Sequence, residues 1–316
     1  MKISNYDSSY HDAVFRLWNS AAVNQGYAPL EKEDFDTLLT GHRCFSGKYA
    51  FVLTEDREVC GFICGWIEKN AYITCLILWA EYDTEENTEK LLHKLEEAFR
   101  EAGVKKIQYS FFNPMRLPWI IPDTQGCQHN NVPGIAIDLP LYERALSLGY
   151  RERTRECAMF LRLKEFQIPE SIVEKEHEAA QEGYTIEWYD GRKHQGLSAM
   201  VDSMNNPMWS EEIPYAAEQI NMLVAVKDGY VAGFAGPVYP EKTGRGYFAG
   251  IAVAKEHEKH HLGTLLFYRL CQEEEKAGSR YMSLFTGVEN RAQKIYVGAG
   301  FQVKRIFAVV EKELDG

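Results

Sequence analysis

Ile251-Ala252-Val253-Ala254-Lys255-Glu256-His257-Glu258-Lys259-His260-His261-Leu262-Gly263-Thr264-Leu265-Leu266 starts apolar, crosses a run of charged and imidazole side chains, and turns apolar again. The first part reads as a strand. Leu262, Leu265, Leu266, Leu270 and Cys271 then recur at helical spacing, which predicts a helix over His261–Ala277 stopped by Gly278. A helix start leaves its first backbone N–H groups without internal acceptors. With the helix dipole they attract an anion, worth roughly 0.3–1 kcal/mol per exposed charge. Gly263 lets a ligand come close to the backbone.

Working outward, a strand over Arg280–Phe285, a helix over Asn290–Val297, a stop at Gly300 and a strand over Phe301–Val310 follow. Upstream lie a strand at Tyr184–Trp188, a helix at Lys193–Met204, two strands (Asn221–Val226 and Tyr230–Val238) around the turn Lys227-Asp228-Gly229, and a strand at Gly246–Ala254. The first half repeats this order. A short strand at Met1–Tyr6 leads to a helix capped by Ser8, and strands at Tyr49–Thr54, Glu58–Ile67 and Ala71–Trp79 come next. A long helix over Glu85–Ala102, a strand over Lys105–Phe112, a Pro-rich stretch, a helix over Leu141–Leu148 and a strand over Tyr150–Leu163 complete it. One mixed plan used twice predicts an α/β (α+β, mixed-sheet) chain of two domains, 1–165 and 184–316, with 166–183 as a polar linker whose Glu170–Gln181 part has helical character.

Asn290-Arg291-Ala292-Gln293-Lys294-Ile295-Tyr296-Val297-Gly298-Ala299-Gly300-Phe301 reads N-x-x-A-x-x-x-Y-x-x-x-G-F. Together with the 251–266 stretch, it makes residues 184–312 resemble the GNAT superfamily of acyl-CoA-dependent N-acetyltransferases. The resemblance extends to the order strand, helix, hairpin, strand, helix, strand, helix, strand. The family's cofactor motif usually reads Arg/Gln-x-x-Gly-x-Gly/Ala. Here it stands as Glu258-Lys259-His260-His261-Leu262-Gly263, with an acidic first position and histidine for the middle glycine.

The resemblance implies specific roles. Ile251, Ala252 and Val253 would offer backbone hydrogen bonds to the pantetheine arm of acetyl-CoA. The loop Glu258, Lys259, His260, His261, Leu262, Gly263 and Thr264 would cradle its pyrophosphate. Asn290 would touch the arm, and Tyr296 would protonate the departing thiolate after direct attack by an amine. A phenol with a pKa near ~10 is protonated at pH 7, as this role requires. Lys259, His260 and His261 would offset the charge of Glu258. No motif assigns the base; Glu211, Glu212, Glu289 and water are the candidates.

Asn205–Pro214 reads as an acceptor-side loop with an aromatic and two carboxylates for a cationic amine, or equally as an exposed helix start with acidic caps. The first half has acidic Ala80–Asn87 where a diphosphate would sit, and Ala145 at the tyrosine position. It reads as a degenerate copy, in the two-domain arrangement of members such as mycothiol synthase. Asn113–Pro140 is read as a plug of that worn cleft, with reach over the acceptor site as the second reading.

The chain has 316 residues, 45% hydrophobic and 26% charged, which excludes disorder as its main state. Its longest apolar stretch, near Ala71–Ala80, is half of what a spanning helix needs, and Met1–Tyr10 precedes no apolar leader segment. A net charge of −11 disfavours nucleic acid as a partner. Seven scattered cysteines without a Cys-x-x-Cys read as reduced thiols of a cytoplasmic protein, and Cys60 and Cys64 are expected on one strand face. The run His257–His261 has no standard metal-pair spacing, so no metal is expected. The expected activity is acetyl transfer from acetyl-CoA to a small primary amine by the C-terminal domain. The alternative is a non-catalytic CoA-binding or interaction module with a decayed loop.

Overall fold

The computed structural model describes residues 1–110 and 113–314. In chain order its elements are β1 (Lys2–Asn5), α1 (His11–Ala21), α2 (Lys32–Phe35), β2 (Ala50–Glu55), β3 (Glu58–Ile67), β4 (Ala71–Leu78), α3 (Glu85–Glu101), β5 (Lys106–Tyr109), β6 (Trp119–Ile120), β7 (Gln128–His129) and β8 (Ile135–Ala136). Next come α4 (Pro140–Ser147), β9 (Arg151–Arg162), α5 (Glu170–Gln181), β10 (Tyr184–Trp188), α6 (Leu197–Ser203), α7 (Pro207–Gln219), β11 (Leu223–Lys227) and β12 (Tyr230–Gly236). The chain ends with β13 (Arg245–Gly246), β14 (Gly250–Val253), α8 (Leu262–Lys276), β15 (Tyr281–Gly287), α9 (Gln293–Gly298) and β16 (Gln302–Glu313). Phe111 and Phe112, the end of one expected strand, lie outside the described residues. No helix among those described is long and apolar enough to cross a membrane.

Two compact units form: Met1–Ala158 with Lys304–Gly316, and Met159–Val303. The cuts differ from the expected 165 and 184 for two reasons. Segment 166–183 is a packed element of the second unit: α5 buries Ile172 and Ala179, and Glu176 pairs with Arg269 of α8 at 2.8 Å. The last strand of the chain belongs to the first unit.

In the first unit β1, β2, β3 and β4 are antiparallel, and β4 runs parallel to β5. β4 and β5 share only Ala71↔Ile107 and Tyr72↔Gln108 before they part. α3 lays Leu91, Leu92, Leu95 and Phe99 on one sheet face; α1 lays Val14, Leu17 and Trp18 on the other. The helical spacing of those apolar residues is what makes both helices amphipathic. Asp7, not Ser8, caps the short helical turn before α1, by accepting from the Ser9 amide. Cys60 and Cys64 fall on opposite faces, because a register shift next to Cys60 reverses the alternation.

The Pro-rich stretch fills the gap between β4 and β5. Asn113 Nδ2 donates to the Ile73 carbonyl at 3.2 Å and to Thr74 Oγ1 at 2.9 Å, on the parted edge of β4. Met115, Leu117, Trp119 and Ile121 are buried, and β8 pairs with β16. This supports the plug reading.

β16 pairs antiparallel with β5, from Val310↔Tyr109 to Glu313↔Lys106. A buried charge pins it there. Glu96 of α3 is fully buried and accepts from Lys312 Nζ at 2.9 Å on both oxygens, from the Tyr150 hydroxyl at 2.9 Å and from Arg100 at 3.2 Å.

In the second unit β10, β11, β12 and β14 form an antiparallel sheet. Asp228 and Gly229 supply the two left-handed residues that the β11–β12 turn requires. β13 instead pairs in parallel with β15. The expected continuous strand Gly246–Ala254 is therefore broken, because the chain changes sheet between Gly246 and Gly250. β14 meets β12 on one side only, and its other edge carries no strand among the described residues.

Lys312→Met leaves the Glu96 carboxylate with Arg100 as its one cation and the Tyr150 hydroxyl as its other donor. Local stability read by hydrogen exchange in β5 and β16 is expected to fall by about 2–3 kcal/mol, and adding Glu96→Gln to recover part of it. Unchanged exchange in Lys312→Met would show that the pair does not hold the strand.

Candidate active site

The chain leaves β14 through a helical turn at Lys255–His257 and enters α8 at Leu262. Lys259 (φ 72°) and His261 (φ 59°) both lie in the left-handed region, which is why glycine suits the latter position. The turn points the chain so that α8 begins with free donors. Among the described residues the amides of Leu262, Gly263 and Thr264 have no backbone acceptor; the Leu265 amide is the first to bond, to the His261 carbonyl at 3.0 Å. A Cβ on Gly263 would sit 3.7 Å from Val253 Cγ2 and 3.8 Å from Ile295 Cδ1. The helix start is thus wedged between β14 and α9, and three segments far apart in sequence meet at one corner.

The polar side chains of the loop divide. His260 Nδ1 bonds the Glu182 carboxylate, and His257 Nδ1 bonds the Tyr184 hydroxyl at 2.9 Å. The Tyr184 ring also lies 4.9 Å from that of His260. The expectation that His260 offsets Glu258 is therefore corrected: its ring is held by Glu182. Glu258, Lys259 and His261 are exposed.

Tyr296 is buried, with ring centroids 4.7 Å from Phe267 of α8 and 6.3 Å from Phe301. Burial pushes its phenol up to about 12. Its hydroxyl makes no hydrogen bond among the described residues. Asn290 precedes α9, which starts at Gln293, and its Oδ1 accepts from the Ala292 amide at 2.9 Å. That bond stabilises the turn into α9, and Nδ2 has no partner among the described residues. Glu289 is exposed and also lacks a partner among the described residues.

Residues 205–214 form the start of α7 rather than a loop. Asn206 caps it by accepting from the amides of Met208 and Trp209, and Pro207 stands in the first turn. Trp209 is committed to β14: its Nε1 donates to the Ala249 carbonyl at 3.2 Å, and a Cβ on Gly250 would strike its ring at 2.5 Å. One turn on, Glu212 accepts from the Tyr247 hydroxyl at 2.6 Å, and Tyr247 stacks on Tyr239 at 4.8 Å. Sequence reading placed Trp209 in the acceptor-side stretch but missed Tyr239 and Tyr247. Asn-Pro before an apolar run was the available signal for the helix.

Glu274, fully buried at the far end of α8, accepts from the Tyr239 amide at 3.1 Å and from Ser279 Oγ at 2.5 Å. Burial raises its carboxyl from 4.5 to about 7.

Residues 173–301 match the acetyltransferase (GNAT) family. The match spans less than half of the chain and makes residues 173–301 similar to acetyltransferases. The GNAT fold recurs over the whole chain in solved structures. The GCN5-related glucosamine N-acetyltransferase region of a fungal multi-domain GH3 β-N-acetylglucosaminidase matches 98% of this chain with a TM-score of 0.72 and 16% identity. This chain spans only 38% of that one. A GCN5-related N-acetyltransferase from Sphaerobacter thermophilus matches 100% of this chain and 96% of its own, with a TM-score of 0.66 and 16% identity. A tandem GNAT protein from the clavulanic acid biosynthesis pathway matches 100% of this chain and 99% of its own, with a TM-score of 0.62 and 14% identity. No curated protein matches significantly.

Two outcomes follow for the GNAT unit. Glu274 binds its proton more tightly folded than unfolded, so its contribution is complete below about pH 4.5 and is lost as pH rises to about 7. It amounts to at most on the order of 3 kcal/mol. Thermal melts of Glu274→Gln should depend less on pH between 5 and 7.5 than wild type; parallel curves would refute this. Glu258→Gln removes an exposed negative charge beside the free amides, and calorimetry should show acetyl-CoA binding about threefold tighter. Weaker binding would mean that Glu258 points elsewhere.

Proposed function

We propose that the second unit transfers the acetyl group of acetyl-CoA to a small primary amine by direct attack. One observation carries the reading: the unpaired edge of β14 runs straight into an amide-rich turn at the start of α8. An extended chain with a diphosphate at one end and amides along its length fits such a track, by adding as a strand and ending on a helix N-terminus. Ile251, Ala252 and Val253 bind the arm, and the turn from Glu258 to Thr264 binds the phosphates. Asn290 Nδ2, without a partner among the described residues, is available to the same arm.

Acetyl-CoA supplies the activated acyl group. The amine nitrogen adds to the carbonyl, the C–S bond breaks, the nitrogen loses a proton to a base, and the sulfur gains one. Tyr296, buried against Phe267, is the residue assigned to this last step. A phenol near 12 is a weaker acid than a thiol near ~8.5, so it acts first as a neutral hydrogen-bond donor to the sulfur, and its proton follows as charge builds there. Of the carboxylates, Glu289, beside Asn290 and without a partner among the described residues, is the proposed base, directly or through water. Glu212 is already oriented by Tyr247. The first unit, its gap filled by the Pro-rich stretch, is a scaffold in this reading.

The test is Tyr296→Phe. Acetyl-CoA-dependent thiol release across a panel of amines should fall roughly a hundredfold in kcat, with acetyl-CoA affinity kept. Because the phenol stays protonated, the wild-type rate should show no alkaline loss from this group up to about pH 10. Full activity in the variant would remove Tyr296 from the mechanism. Absence of acetyl-CoA binding to the intact protein would favour an interaction module.

A further inference from the structure

The track along β14 has a far end. β14 spans four residues, about 13 Å at ~3.3 Å per residue, and its phosphate end is at Val253. The acyl end of an arm laid on it therefore comes to the Gly250 end. There the structure places α7, fastened by Trp209 over Gly250 and on the Ala249 carbonyl. Glu212, three residues after Trp209, lies on the same side of α7. Its Oε1 is fixed by Tyr247, while its Oε2 has no protein partner among the described residues. Tyr239 stacks on the Tyr247 ring. The nearby cation Arg245 is already paired with Glu241 at 2.8 Å.

An amine that attacks a thioester must be neutral, so a carboxylate is of no use to the reacting nitrogen once it has lost its proton. A carboxylate held in one orientation by a phenol, with a free oxygen and a tyrosine pair beside it, suits a nitrogen that stays protonated. We infer that Glu212, positioned by Tyr247, binds a second ammonium group, and that the acceptor is a diamine: one nitrogen neutral at the thioester, the other charged on Glu212. This rests on the acetyl-transfer reading above. It makes Glu212 a specificity-determining residue rather than the base.

The experiment compares α,ω-diamines of three to six carbons with n-alkylamines of the same lengths, using the full chain and acetyl-CoA. The best diamine should exceed its monoamine partner at least tenfold in kcat/KM. Glu212→Gln should cut that ratio at least tenfold through KM, and Tyr247→Phe should cut it by less, in the same direction. Calorimetric titration of the best diamine into wild type and Glu212→Gln, with coenzyme A present, gives a readout independent of turnover. Equal kcat/KM for diamines and monoamines, or a Glu212→Gln loss that is the same for both through kcat, overturns the inference and leaves acetyl transfer standing. If no amine is acetylated while diamine binding still depends on Glu212, acetyl transfer falls and the ammonium site stands. If diamine binding is equal in both proteins, the site falls.

Discussion

The second unit depends on a strand that is paired on one side only. β14 pairs with β12 from Gly233↔Val253 to Gly236↔Gly250, and its opposite edge carries no strand among the described residues. Such an edge is ordinarily a liability, to be covered or twisted away. Here it leads into a turn whose left-handed residues, Lys259 and His261, aim the first amides of α8 at the same corner. The first unit parts β4 from β5 in the same way but covers the edge with Asn113 and the buried side chains that follow. One architecture thus appears twice, once open and once filled.

What surrounds the open edge fixes its chemistry. Tyr296 packs against Phe267 of α8, so its ring and the free amides at the start of α8 are tied to the same helix. Trp209 staples α7 to the opposite end of β14. The strand is bounded at one end by donors for an anion and at the other by the Glu212 carboxylate. In the proposed reaction that polarity would orient an acyl carrier and an amine relative to each other.

Much of this was legible in the sequence because it is local. Glu58–Ile67 and Tyr184–Trp188 have the expected bounds, and the Asp228-Gly229 turn follows from two residues that tolerate positive φ. The strand-loop-helix segment was visible from periodicity, and Gly263 does lie where Val253 and Ile295 meet. What was not legible depends on distant partners. Nothing local says that β13 joins β15 while β14 joins β12, or that the last strand completes the first unit. His260 looked available to a phosphate because Glu182 is far away in sequence. Cys60 and Cys64 looked like neighbours on one face because a register shift leaves no mark in the alternation. Asn290 fits the family's pattern, yet its Oδ1 is spent on the turn into α9.

The most direct measurement is amide hydrogen exchange of the full chain with and without saturating acetyl-CoA, resolved to peptides covering Ile251–Val253 and Leu262–Thr264. The account predicts that both segments become protected together, while the first unit's β4 and β5 do not change. Protection confined to the first unit, or none at Leu262–Thr264 under saturating ligand, would contradict it.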